Sequence, residues 1–250
     1  MTHEPFAPPT GYGSPTGPAV PAAPAPVRYT YGAPLYSPPP LRSAAGLGTA
    51  AVVLACVWAA VQVLKLALAP AAADALRDAA AAGNGAYDSA LTGYDLAGVL
   101  FFAVQVAAYV VTCLWLYTSR STAVAATPGL VHERSKVWTW LGWWVPIVSL
   151  WFPYQVVRDI RRATATGPVS GIGGWWAAWL VFVTLSNTAG RMSSRTTAEA
   201  TATAAEALVF VELLATVAMA VALVLWIRIV RGVSRYQAER IAIAHDERGS

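Results

Sequence analysis

Val137–Arg162 reads VWTWLGWWVPIVSLWFPYQVVRDIRR. Its first 21 residues, Val137–Val157, contain no Asp, Glu, Lys or Arg, yet they hold Pro146, Pro153 and five of the chain's 11 tryptophans. A helix rising about 1.5 Å per residue needs roughly 20 residues to cross about 30 Å of hydrocarbon, so length alone allows a crossing. Composition argues against a straight one. Each proline removes a backbone donor and clashes with the preceding turn. Tryptophan and tyrosine favour the headgroup level, where an apolar ring and a polar N–H or O–H both find partners. Whether this stretch crosses or returns to the face it entered from sets the threading of everything around it.

Four other runs are long and poor in charge: Ser43–Leu64 (22 residues), Leu96–Ser119 (24), Ala163–Gly190 (28) and Ala207–Ile227 (21, broken only by Glu212). If all five crossed, with the N-terminus inside, Lys and Arg would number 7 inside against 9 outside, Lys65 standing uncounted at a boundary. If Val137–Val157 returns instead, 13 lie inside and only Arg77, Arg191 and Arg195 outside. The positive-inside rule selects the second arrangement. The Pro70–Asp95 connection fits an outer loop, with Asp74, Asp78, Asp88 and Asp95 against Arg77 and a short helix expected over Asp74–Ala82. Trp115, Tyr117, Trp175, Trp176, Trp179 and Trp226 all fall near the expected inner interface, where headgroup-level rings belong.

The fold expected is therefore an all-α integral membrane protein with four transmembrane helices (about 47–68, 96–118, 173–190 and 208–228) and a Trp/Pro-rich re-entrant or interfacial hairpin at about 138–157. Residues 1–43 form a Pro/Gly/Tyr-rich tail, 44–235 the membrane domain and 236–250 a charged cytoplasmic tail. The first 42 residues hold 12 of the 17 prolines, a composition that cannot bury enough apolar surface to offset ordering the chain. Such a tail reads as disordered, and no signal peptide is expected from it. Both termini are expected in the cytoplasm, and the location is the cytoplasmic membrane.

Composition across all 250 residues agrees: 56% hydrophobic and only 12% charged, with mean hydropathy +0.50. These values exclude an ordinary soluble enzyme or a disordered regulator. Two cysteines exclude a disulfide scaffold. The net charge of +4 is spread over loops, so no nucleic-acid partner is expected.

GWWVPIVSLWFPYQ at Gly142–Gln155, followed by VVRDI and by GGWWAAW at Gly173–Trp179, resembles a family pattern. The chain is similar to the actinobacterial membrane proteins grouped as domain-of-unknown-function family 4328, with their Pro-rich tail, about four spans and GW-x-x-P…P-Y core. The resemblance covers roughly Ala44 to Arg235 and rests on Gly142, Trp143, Pro146, Pro153, Tyr154 and Arg158. Ser149 and Arg161 depart from it, where relatives often carry Asn and an aromatic. The family has no assigned activity, so the resemblance implies topology rather than function.

Chemistry-bearing constellations are scarce. His3, His132 and His245 stand in tails or loops, which offers no axial haem ligand within a span and no base beside a Ser or Cys there. Zinc spacing and a phosphate-cradling GxxxxGK[ST] loop are both missing. No enzyme activity, cofactor or metal is expected. Cys56 and Cys113 read as buried free thiols at different depths. Glu212 is the one carboxylate inside an expected span, where a charge costs about 2.5–3.5 kcal/mol even on the insertion scale. It is expected about one turn inside the outer end, paired with Asn187 or Arg191; the sharper reading is a proton- or cation-linked site. Gln62 and Gln105 can hydrogen-bond across helices, and Lys65 can reach the outer interface along its own stem.

PYQVVRDIRRAT at Pro153–Thr164 is the most suggestive element. Pro153 can open a helix whose Val156, Val157 and Ile160 share one side, while Arg158, Arg161 and Arg162 reach toward phosphates. With Trp143, Pro146, Pro153 and Tyr154 these arginines form the candidate lipid-facing hairpin site. The expected function is a non-enzymatic scaffold or sensor. Its hairpin engages the anionic inner leaflet, and its tail recruits a cytoplasmic protein; homo-oligomerisation is compatible with it. The alternative is a small transporter or channel subunit with Glu212 in its pathway.

Overall fold

The computed structural model describes residues 43–126, 135–143, 145, 147–164 and 171–249. The tail to Arg42, His132, Pro146 and the 127–134 and 165–170 connections lie outside these. The described residues form six helices and no strand: α1 (Ala45–Ala81), α2 (Gly93–Ala126), α3 (Trp138–Leu141), α4 (Phe152–Ala163), α5 (Ile172–Met192) and α6 (Ala198–Gly249). Short 3-10 turns add Ala86–Asp88 and Val148–Leu150. By length and composition α1, α2 and α6 can each cross a membrane. α5 has 21 residues but is less apolar, because Gly173, Gly174, three tryptophans and Asn187 dilute its aliphatic run.

Three clusters show how the long helices run. Near the start of α1, Ala44 and Leu47 pack with Trp115, Ile172, Trp175, Trp226 and Val230. In the middle, Trp58 meets Phe101, Phe182, Ala215 and Met219. Toward the far end, Ala69, Ala73 and Leu76 pack with Tyr94, Ala189, Ala205 and Leu208. Number rises along α1 and α5 as it falls along α2 and α6, so neighbouring helices are antiparallel. α1 packs on α2 and α6, and α5 packs on α6, whereas α2 and α5 scarcely touch.

The helices outrun the expected spans. α1 continues through Pro70 to Ala81, absorbing the expected Asp74–Ala82 helix. The missing proline N–H costs one helical bond. The flanking alanines favour helix, and Ala69, Ala72, Ala73 and Leu76 are buried against the start of α6. At α2, Asp95 accepts from both the backbone N–H and the hydroxyl of Thr92, at 2.8 and 2.9 Å, the carboxylate half of a capping box. The 236–250 stretch is a continuation of α6 as far as Gly249.

Val137–Val157 is not one helix. α3, the 3-10 turn and the start of α4 divide it, and α4 at 12 residues reaches only about 18 Å. All three pack at the bundle end where α1 begins, hereafter the Ala45 end.

Candidate functional site

Glu212 is completely buried, 14 residues into α6 and so about 21 Å from that helix's start. Lys65 Nζ of α1 donates to its Oε1 at 2.9 Å, and the Tyr94 hydroxyl at the head of α2 donates to the same oxygen. Gln62 Nε2 donates to Oε2 at 2.6 Å and to Thr216 Oγ1 at 3.2 Å. The ammonium of Lys65 also stands 5.0 Å from the ring centroids of Tyr94 and Phe101. Three helices thus converge on one carboxylate through an ion pair and two further donors.

This corrects two expectations. Glu212 is not paired with Asn187 or Arg191, whose side chains are exposed on α5. Lys65 does not run out to the interface but is 5% exposed, since a carboxylate on the adjacent helix meets it within the bundle. Tyr94 went unread because it stands just before the second apolar run, with nothing in its spacing to link it to position 212.

The second feature is the hairpin region. On α4, Val156, Val157 and Ile160 do share one side, and that side is buried against Trp115, Trp175, Trp226, Val230 and Val233. The apolar stripe therefore closes the Ala45 end instead of lying on lipid. Pro153, the second residue of α4, is buried, and Tyr154 packs against the same cluster. Trp115, Trp175, Trp176 and Trp226 gather at the Ala45 end, buried against one another and α4. Tyr117 is 44% exposed.

The arginines divide. Arg158 is half-buried, stacked 5.6 Å from the Tyr154 ring and 3.9 Å from Asp159. The Arg161 guanidinium lies over Gly232 of α6, while Arg162 is exposed. Asp159 is buried close enough for its charge to act on Arg120 of α2, also buried, whose Nη1 is 3.5 Å from the Ser135 carbonyl. Neither Arg120 nor Asp159 drew notice in the sequence, because both look like ordinary solvated loop charges there.

Between α3 and α4 the chain turns back through Ile147, the one described non-glycine residue with positive φ (64°). A β-branched side chain rarely adopts this conformation. Carbonyls of this broken backbone have protein donors: Trp176 Nε1 to Leu150 O at 2.7 Å, and the Tyr109 hydroxyl to Trp140 O at 2.9 Å. Trp143 is half-buried with its ring 6.2 Å from those of Trp176 and Trp179. Apolar side chains at Leu141, Ile147, Leu150 and Trp151 remain 41–70% exposed.

Where α2 and α5 stand apart there is a cavity of about 360 Å³. Phe102 and Val106 flank it on α2, Leu180 and Val183 on α5, with Trp58 and Met219 behind. Trp143, Ser149 and Leu150 of the broken segment close one end, and Gln105 brings an amide to the wall.

The sequence model of the family described as domain of unknown function 4328 (DUF4328) matches residues 78–235. The chain belongs to this family. No curated protein and no solved structure matches it. The DUF4328 match begins in the last turn of α1, later than the resemblance over Ala44–Arg235 implied. It takes in Tyr94, Glu212, the broken segment and α4, and leaves Gln62 and Lys65 outside. Of the residues that carry the resemblance, Gly142 shows a packing reason: a Cβ there would stand 2.7 Å from the Trp138 carbonyl and 3.4 Å from Phe152 Cβ.

Proposed function

We propose that this DUF4328 protein is a non-enzymatic membrane scaffold or sensor. In this reading α5 is a fourth span and both termini are cytoplasmic. The Ala45 end is at the inner leaflet of the cytoplasmic membrane, and the Pro/Tyr-rich tail recruits a cytoplasmic protein. The observation that carries it is the exposed apolar turn around Ile147. A broken segment presents Leu141, Ile147, Leu150 and Trp151 outward beside a basic helix. Its carbonyls at Trp140 and Leu150 are satisfied internally, as backbone immersed in lipid requires. An apolar tip flanked by arginines suits a leaflet with anionic headgroups. The packing of α5 along α6 through all three clusters supports a crossing by both.

The alternative, a small transporter or channel subunit, puts Glu212 in a pathway. Enclosure of that carboxylate by Lys65, Gln62 and Tyr94, away from the α2–α5 cavity, favours the scaffold.

Topology is the test. In a chain with Cys56 and Cys113 replaced, single cysteines at Lys136 and Thr166 are treated with a membrane-impermeant maleimide on intact cells. Protection of both until the cells are opened is expected. Labelling of Thr166→Cys alone would make 138–157 a fifth span, export the C-terminus and remove the basis of the proposal. Deleting Met1–Arg42 should abolish specific co-purification of a cytosolic protein; unchanged co-purification would refute the recruiting role.

A further inference from the structure

We infer that the Ala45 end of α6 carries a binding site for a phosphomonoester lipid headgroup, built by Arg228, Arg231 and Arg235 of α6 with Arg161 of α4. The inference deepens the reading proposed above. It rests on the placement of the Ala45 end in a headgroup layer and not on recruitment by the tail.

Exposed positions on one side of α6 recur at Val217, Val221, Val224, Arg228, Arg231 and Arg235, in steps of four, three, four, three and four. Such steps keep to a single face of a helix. That face is apolar through Val224, its three valines 48–55% exposed, and basic from Arg228 onward. The change falls within about one turn. At about 1.5 Å per residue the stripe is about 27 Å long, enough for one molecule to lay acyl chains along the valines and set its phosphate on the arginines.

Arg161 adds a fourth guanidinium from outside the helix. A Cβ at Gly232 would stand 3.0 Å from Arg161 Nη1, 3.2 Å from Cζ and 3.3 Å from Nη2, so the glycine lets that group lie close on α6. Arg228 and Arg235, four residues before Gly232 and three after it, have Cβ atoms about 5–6 Å from that position and so flank Arg161.

Charge selects the ligand. Among the described residues none of the four guanidiniums donates a hydrogen bond or forms an ion pair, and neither does Glu239, the next acidic residue along this face, pair with one. Like charges three and four apart destabilise a helix, a cost that a bound anion removes. Guanidinium groups take phosphate oxygens two at a time. A phosphodiester headgroup brings one negative charge, whereas a phosphomonoester carries about −1.5 to −2 at pH 7 and three acceptor oxygens. The second is the better match for four unpaired arginines, and the adjoining valines favour a lipid over free phosphate.

The test is native mass spectrometry of the full chain in detergent. The probes are phosphatidic acid, phosphatidylglycerol with the same acyl chains, glycerol 3-phosphate and inorganic phosphate. Phosphatidic acid is expected to bind at least about fivefold more tightly than phosphatidylglycerol, and Arg231→Gln and Arg235→Gln should each weaken it about fivefold. Both side chains are exposed and unpaired, so the thermal midpoint should stay in place, and Arg191→Gln at the opposite end should change nothing. Equal affinity for the two lipids, or an equal loss in Arg191→Gln, would overturn the site. Binding of glycerol 3-phosphate or inorganic phosphate as tight as that of the lipid would overturn the lipid as its ligand. Binding in detergent is read without reference to a leaflet, so its failure strikes this site alone. Labelling of Thr166→Cys from outside strikes the inner-leaflet placement alone.

Discussion

Lys65 and Glu212, 147 residues apart in the chain, meet through Nζ and Oε1 at 2.9 Å with side chains 7% and 0% exposed. Two charges removed from water lose hydration that their attraction only partly restores, so such a pair is weak evidence for stability as a unit. Breaking it is another matter, because the survivor is left charged and buried. Glu212→Gln and Lys65→Met should each cost about 3–5 kcal/mol, and the double variant much less than their sum. Thermal unfolding of the four proteins in detergent closes the cycle. Additive losses would mean that the pair is not coupled. The same Glu212→Gln variant in vesicles should leave any ion flux unchanged; abolished flux would favour the transporter alternative.

Close approach of α1 to its neighbours hangs on Gly48. A Cβ there would stand 2.8 Å from Ser234 Oγ, 3.1 Å from Trp115 Nε1 and 3.2 Å from Val230 Cγ1. Gly48→Ala is expected to destabilise by about 1–3 kcal/mol, the usual cost of overpacking. Gly98, in α2, has no other atom within 4 Å of a Cβ position. Gly98→Ala should be neutral or stabilise by up to about 1 kcal/mol through helix propensity. A marked loss at Gly98, read with size-exclusion light scattering, would identify a packing surface between copies of the chain.

Ile147 holds φ at 64° with its side chain 70% exposed, so nothing around it repays the strain by burial. Glycine adopts that backbone freely, and Ile147→Gly should stabilise the turn by about 1–2 kcal/mol. If the residue is retained for immersion in lipid, a fluorophore on Ile147→Cys should be quenched by lipids brominated along the chain. Quenching by aqueous iodide instead would put the turn in water.

The long helices could be read from apolar runs, because hydrocarbon thickness acts on short stretches of chain. The broken character of 138–157 was legible in its prolines, and the apolar side of α4 in the spacing of Val156, Val157 and Ile160. Partners were not. Whether that side meets lipid or the bundle end depends on Trp115, Val230 and Val233, far away in sequence. Glu212 stood out as an intramembrane carboxylate, but choosing Lys65 over Arg191 requires knowing how α1 faces α6. Cys113 is buried as expected, whereas Cys56 is exposed, a difference of helix rotation that depth alone does not give.

The three arginines of α4 were one group in the sequence and are separate in the structure, which sets distinct expectations for each end of the helix. Arg158 is stacked on Tyr154 and lies beside Asp159, so its charge belongs to the contacts that hold α4 on the bundle. Arg162 is exposed. Near an anionic surface one basic residue contributes about 1 kcal/mol, about a fivefold change in a binding equilibrium. Arg162→Gln should therefore lower the anionic lipid that co-purifies with the protein while leaving its thermal midpoint in place. Arg158→Gln should lower the midpoint and change the lipid less. Lipid mass spectrometry and thermal unfolding on the same preparations separate the two effects. Equal lipid loss in both variants, with both midpoints unchanged, would mean that α4 presents one undivided basic face and that the stacking of Arg158 holds nothing in place.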